Sequence, residues 1–163
     1  VMDVARMLED LEASVGFQGH KALTVPSLLG LAKSASVTID GRLLRLQRMV
    51  FASDFLLGQH QGRTVAVNYL AIRGLQLFAA GKYPSQVSKV TLRAWIKTLP
   101  QGLPVSVFIL GAERHDKAAI SASNSKFLCL SPNLPGLIAS AVPFSAVQYI
   151  EFDAVDNNIG LWA

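Results

Sequence analysis

The sequence predicts a mainly β protein with short helices, built as two tandem small barrels behind an N-terminal helix. Three observations predict it. One phrase occurs twice: Val67-Asn68-Tyr69-Leu70-Ala71-Ile72-Arg73-Gly74-Leu75-Gln76-Leu77 returns 75 residues later as Val142-Pro143-Phe144-Ser145-Ala146-Val147-Gln148-Tyr149-Ile150-Glu151-Phe152. Both copies read as a strand, a tight turn centred on alanine, and a second strand with alternating apolar positions. The flanking segments repeat as well. Ala35-Ser36-Val37-Thr38-Ile39-Asp40-Gly41 answers to Pro104-Val105-Ser106-Val107-Phe108-Ile109-Leu110-Gly111, with the glycines 70 apart. Ser53-Asp54-Phe55-Leu56-Leu57 answers to Ser125-Lys126-Phe127-Leu128-Cys129, 72 apart. An offset that grows from 70 to 75 is what loop insertions between fixed strands produce, because surface loops accept extra residues at little entropic cost. Finally, 163 residues divide into two halves of small-domain size, and modules that small commonly pack on each other or on a partner.

Taken in chain order, residues 1–18 form the leading helix. Val4, Met7, Leu8 and Leu11 recur at helical spacing from Met2 to Val15, Asp3 is a plausible cap, and Arg6, Glu9, Asp10 and Glu12 take the other face. Gly16 and Gly19 end it. It has no equivalent in the second half and is an addition to the repeated unit. Residues 19–82 form the first unit: a short helix over Pro26–Lys33 and then about five strands. Residues 83–163 form the second, with Thr91–Leu99 in the place of that helix. Ala79-Ala80-Gly81-Lys82-Tyr83-Pro84-Ser85 is a short, turn-rich joint, so the halves are close neighbours. Short strands leave open edges, so the halves either close separately or share one sheet across the joint.

Composition narrows the function classes. The chain is 51% hydrophobic and 16% charged, with a mean hydropathy of +0.37. No apolar run approaches the roughly 18 residues that span a bilayer. The richest stretch, Pro104 to Ala112, is strand-length. Asp3, Glu9, Asp10 and Glu12 interrupt the N-terminus and no basic lead precedes an apolar core, so the expected location is the cytoplasm. The single cysteine, Cys129, excludes an intramolecular disulfide framework. Apolar excess without a membrane segment points to an extensive interface, between the halves or between copies.

A leading helix, a strand ending at glycine, a bent pair and a two-strand finish around a tight turn resemble the Sm-like and SH3-like small barrels. The phrase Val142-Pro143-Phe144-Ser145-Ala146-Val147-Gln148-Tyr149-Ile150 carries the resemblance best. The whole chain is also similar to a group of uncharacterised actinobacterial proteins with an acidic N-terminal helix, an Asp-Leu-Glu element (here Asp10-Leu11-Glu12) and two such half-barrels. The resemblance implies a fold and no activity. Sm-like proteins imply RNA binding through a polar residue and an Asn in one loop and an Arg-Gly pair in the last turn. Here those loops read Phe51-Ala52-Ser53-Asp54 and Ser123-Asn124-Ser125-Lys126, and the turns Asn68-Tyr69-Leu70 and Pro143-Phe144-Ser145. Neither copy has the Arg-Gly, and the glycine of the second strand is replaced around Arg45. Tyr69 reads as core.

The basic residues offer a second route to nucleic acid. Net charge is +4, and the densest run is Arg42, Arg45 and Arg48. Gly41 precedes it and Leu44 with Leu46 supplies strand alternation, so Arg45 points away from the other two unless the strand bends. With Arg63 and Arg73 these residues are the candidate phosphate-binding set, and such a stripe binds RNA or DNA without sequence preference and in a salt-dependent way. Enzyme chemistry finds no parts. His20, His60 and His115 are scattered, and Glu113-Arg114-His115-Asp116-Lys117 reads as a charged hairpin loop. Cys129 sits in an apolar strand, and Gly58, Gly62 and Gly74 make no phosphate loop. The expectation is a non-catalytic interaction module, with no cofactor or metal, acting through protein partners or self-association. The alternatives are the nucleic-acid binder and an enzyme or small-ligand binder with a site at the seam between the halves.

Overall fold

In the computed structural model, residues 32–80, 88–100, 102–110, 114–131 and 135–153 are described. The helix predicted over Met2–Val15 and most of the one predicted over Pro26–Lys33 lie outside them; Ala32 and Lys33 open the first strand. The elements are β1 (Ala32–Ile39), β2 (Arg42–Phe51), β3 (Phe55–His60), β4 (Arg63–Asn68), a 3₁₀ turn (Tyr69–Ala71) and β5 (Gly74–Ala80). There follow α1 (Leu92–Ile96), β6 (Pro104–Ile109), β7 (Arg114–Ser123), β8 (Phe127–Leu130), β9 (Ser140–Pro143), a second 3₁₀ turn (Phe144–Ala146) and β10 (Val147–Asp153). Each expected two-strand finish is present, with the turn ending on, rather than centred on, Ala71 or Ala146.

All ten strands form one antiparallel sheet in the order β5-β1-β2-β3-β4-β10-β6-β7-β8-β9. Of the two architectures the sequence leaves open, the halves share a sheet. The reason lies in the central strands. A strand with one wet face alternates, but Phe55-Leu56-Leu57 and Val65-Ala66-Val67 are apolar at every position and buried on both faces. Leu56, Val65 and Val67 face one core with Val37, Ile39 and Leu46, while Phe55, Leu57 and Ala66 face a second with Trp95, Leu128 and Phe152. From the other side Phe108 and Tyr149 enter the first core, while Val105, Val107, Ile150 and Phe152 fill the second.

Local chemistry sets the turns and bends. Gln61 and Gly62 link β3 to β4 with φ of 51° and 79°, the positive pair of a type I′ two-residue hairpin turn, and glycine supplies the second without strain. In β2 the register slips between Gln47↔Gln59 and Val50↔Leu57, and Arg48 takes φ 50°. One extra residue there makes a bulge that reverses the inside–outside pattern. In α1, Thr91 Oγ1 accepts from the Ala94 N–H at 3.3 Å, and Asp54 Oδ1 in the β2–β3 turn accepts from the Leu92 N–H at 2.8 Å. The helix buries Leu92, Trp95 and Ile96. Trp95 lies between Phe55 and Phe152, with ring centres 5.4 and 5.8 Å away. Burying each such ring contributes about 1.5–3 kcal/mol.

Two local expectations are corrected. Ala79 and Ala80 belong to β5 rather than to the joint, because β1 offers them partners as far as Ala32↔Ala80. Arg114 to Lys117 open β7 rather than forming a loop, because pairing of Phe108↔Arg114 and Val107↔His115 with β6 satisfies their backbone.

Candidate interaction surface

The seam between the halves is the pairing of β4 with β10, five residue pairs from Val67↔Tyr149 to Arg63↔Asp153. Side chains extend it at both ends. Asn68 donates from Nδ2 to the Val147 carbonyl at 3.1 Å and accepts on Oδ1 from the Leu70 N–H at 3.0 Å. Arg63 reaches Glu151 at 2.7 Å and Asp153 at 3.2 Å. Gln148, at the register shift in β10, donates from Nε2 to Asp40 Oδ2 at 3.1 Å. Phe108 and Tyr149 stack with ring centres 4.2 Å apart and planes 10° apart, under the Arg42 guanidinium. The seam is therefore packed with aromatic rings inside and ionic at its rim, as interfaces commonly are.

The structure separates the five candidate arginines. Arg42 turns to the core-facing side of β2, 4.4 Å from the Phe108 ring centre. Arg45 and Arg48 are exposed on the opposite face. The bulge turns both Gln47 and Arg48 outward, so Arg48 joins Arg45 where a regular strand would set them apart. Arg45 crosses the small Ser36 and Ser34 of β1 to lie 3.7 Å from the Phe78 ring centre. Arg63 is held by Glu151 and Asp153, and Arg73 by Asp40 at 3.2 Å. The five thus lie on more than one face, and two of them are neutralised by carboxylates.

A hollow of about 520 Å³ opens at one end of the seam. The first half lines it with Asp54, Asn68 and Leu70, the second with Arg93, Lys126, Phe127 and Phe144. Two of its polar groups join the halves and a third is held within the second. Asp54 caps α1, Asn68 spans β4 and β10, and Arg93 Nη1 donates to the Ser125 carbonyl at 2.6 Å. Its apolar part is open: Leu70 is 85% exposed and Phe127 39%. The sequence carried one signal of this place. Asp54/Lys126 and Asn68/Pro143 are positions at which the two copies differ in polarity.

Tyr69, at the same end, is partly buried against the first core, and its hydroxyl donates to the Ala52 carbonyl at 2.9 Å. Burial pushes its phenol well above the ordinary value. His60 Nδ1 lies 3.2 Å from the Arg45 carbonyl, and Cys129 is a half-buried free thiol on β8. Among the described residues no group of three or more His, Cys, Asp or Glu is placed to hold a metal ion, and no helix is long and apolar enough to cross a membrane.

Two sheet edges complete the surface. Among the described residues β5 pairs only with β1, and β9 only with β8. Exposed strand edges present backbone donors and acceptors to another chain. Ile138, just before β9, is 90% exposed. No protein-family model and no curated protein matches the chain.

Proposed function

We propose that the chain is a non-catalytic interaction module, two tandem Sm-like/SH3-like small barrels fused through a shared sheet, that acts through protein contacts and self-association. The observation that carries this reading is that, among the described residues, the strands at the two ends of the sheet, β5 and β9, pair on one side only. Exposed Leu70, Phe127 and Ile138 add apolar surface close to the seam and to β9. The barrel assignment rests on the strand order, which is β5-β1-β2-β3-β4 in the first half and β10-β6-β7-β8-β9 in the second, with a 3₁₀ turn before the last strand of each. Sedimentation velocity of the full chain over a hundredfold concentration range tests the reading. Concentration-dependent association supports it. A strict monomer throughout, together with retardation of RNA or DNA at low salt, favours the nucleic-acid reading and overturns this one.

A further inference from the structure

The hollow at the seam offers a ligand two things, apolar wall and hydrogen-bond donors. Its volume of about 520 Å³ is that of a small-molecule pocket. Leu70, Leu92, Phe127, Pro143 and Phe144 make the apolar wall, and Leu70 and Phe127 keep much of their surface exposed. The acceptors of the wall are engaged. Asp54 Oδ1 takes the Leu92 N–H, and Asn68 spends Oδ1 on the Leu70 N–H and Nδ2 on the Val147 carbonyl. The donors are not used up. Arg93 gives one of a guanidinium's five N–H groups to the Ser125 carbonyl at 2.6 Å, and the exposed Lys126 brings an ammonium with three.

The internal repeat shows how these cations are placed. Lys126 is the counterpart of Asp54, and the backbone treats the two alike. The Asp54 carbonyl accepts the Tyr69 N–H at 3.2 Å, and the Lys126 carbonyl accepts the Phe144 N–H at 2.9 Å. In the first half the side chain at this position caps α1; in the second it is a cation lining the hollow. The turn that carries it is tied down, because Asn124 Oδ1 accepts the N–H groups of Lys126 and Phe127, each at 2.8 Å. Arg93 is anchored by its head to the same turn. Groups set in place before binding lose less entropy when a ligand engages them.

Charge selects the class of ligand. Arg93 and Lys126 stand against one carboxylate, Asp54, so the hollow carries a single net positive charge. One negative charge balances it, and the planar guanidinium fork fits a carboxylate. A phosphate monoester, with a charge of about −1.5 to −2, overbalances it. We propose that the hollow binds a small monocarboxylic acid with an aliphatic or aromatic body, the carboxylate on Arg93 and Lys126 and the body on Leu70, Phe127 and Phe144. Such a ligand touches both halves and stabilises the folded chain by mass action. The proposal goes beyond the interaction-module reading and does not depend on it, since neither end of the sheet takes part.

Isothermal titration calorimetry of the full chain with octanoate tests it, beside methyl octanoate, acetate and octyl phosphate. Octanoate is expected to bind saturably at one site with a Kd of about 1 mM or below, and to raise Tm as it does so. Methyl octanoate lacks the charge and acetate lacks the body, so each is expected to bind at least tenfold more weakly. Octyl phosphate is expected to bind no tighter than octanoate. Lys126→Gln and Leu70→Ser change exposed side chains, and each is expected to weaken octanoate at least fivefold with the urea midpoint unchanged. Lys97→Gln, outside this hollow, leaves the affinity as it was. Equal binding of the methyl ester, or tighter binding of the phosphate, overturns the proposal. So does an affinity for octanoate that either hollow variant leaves unchanged, or the lack of saturable binding at about 10 mM. The interaction-module reading is tested separately by sedimentation and survives each of these outcomes.

Discussion

The Arg42 guanidinium lies 4.4 Å from the ring centre of Phe108, so a cation from the first half caps an aromatic stack supplied by the second. Each core contains residues of both halves, since Phe108 and Tyr149 join the first and Phe55, Leu57 and Ala66 join the second. The chain is expected to unfold in urea as one unit, with Trp95 fluorescence (in a Trp162→Phe background) and far-UV circular dichroism tracing one transition. Tyr149→Ala removes a buried ring from the seam and is expected to lower stability by about 3–5 kcal/mol. Arg42→Met keeps most of the aliphatic stem and removes the cation over the ring, a contact that contributes about 1 kcal/mol. Two separated transitions in the wild type would show that the halves are energetically independent.

Asp54 joins the halves by capping, since its carboxylate accepts the Leu92 N–H at the start of α1. Asp54→Ala is expected to cost about 1 kcal/mol in denaturant titration, with Asp54→Asn recovering most of it because an amide oxygen still accepts. Equal losses in the two variants would mean that the charge, not the acceptor, matters.

Glu151 is mostly shielded while Arg63 is more than a third exposed, so their 2.7 Å contact is partly screened. Glu151→Gln is expected to lower stability by about 0.5–1 kcal/mol at low ionic strength, and the difference should shrink in 1 M salt. A salt-independent difference would assign the loss to packing at the seam.

The Tyr69 phenol is held protonated by burial, with its hydroxyl on the Ala52 carbonyl. Its folded value lies above the unfolded one, so its contribution is fully present below the unfolded value of about 10 and is lost as pH rises beyond it. Stability measured from pH 7 to 11 should therefore fall only at the alkaline end. Tyr69→Phe should cost about 1 kcal/mol at neutral pH and flatten that alkaline fall.

The two-strand finishes and the tight turns were legible because apolar alternation and turn residues are local signals, as at Val67–Leu77. The sharing of one sheet was not, although its trace is present in the sequence. Phe55-Leu56-Leu57 and Val65-Ala66-Val67 lack alternation, which means burial on both faces but does not say what lies on each. The bulge at Arg48 escaped for a related reason, since nothing local in Gln47-Arg48-Met49 marks the extra residue; it appears only when β2 is laid against β3. The charged stretch from Arg114 resembles a loop by polarity alone, while its pairing partner lies in β6. At the seam hollow, Asp54 and Asn68 looked like turn residues, and their reach into the other half depends on contacts 38 and 79 residues away.

The position of β10 also fixes an order of events during synthesis. The ribosome delivers β4 long before β10, and the strand that completes both cores is the last of the ten to emerge. Until it does, a nascent chain carries β4 without the strand that pairs with its outer edge, and the core around Phe55, Leu57 and Ala66 lacks Val147, Ile150 and Phe152. Contacts this distant in sequence close slowly, and an unsatisfied edge invites pairing with another nascent chain. Folding of the first half is thus held in suspense by the second, and a holding chaperone would find its binding site on β3 and β4 during that interval.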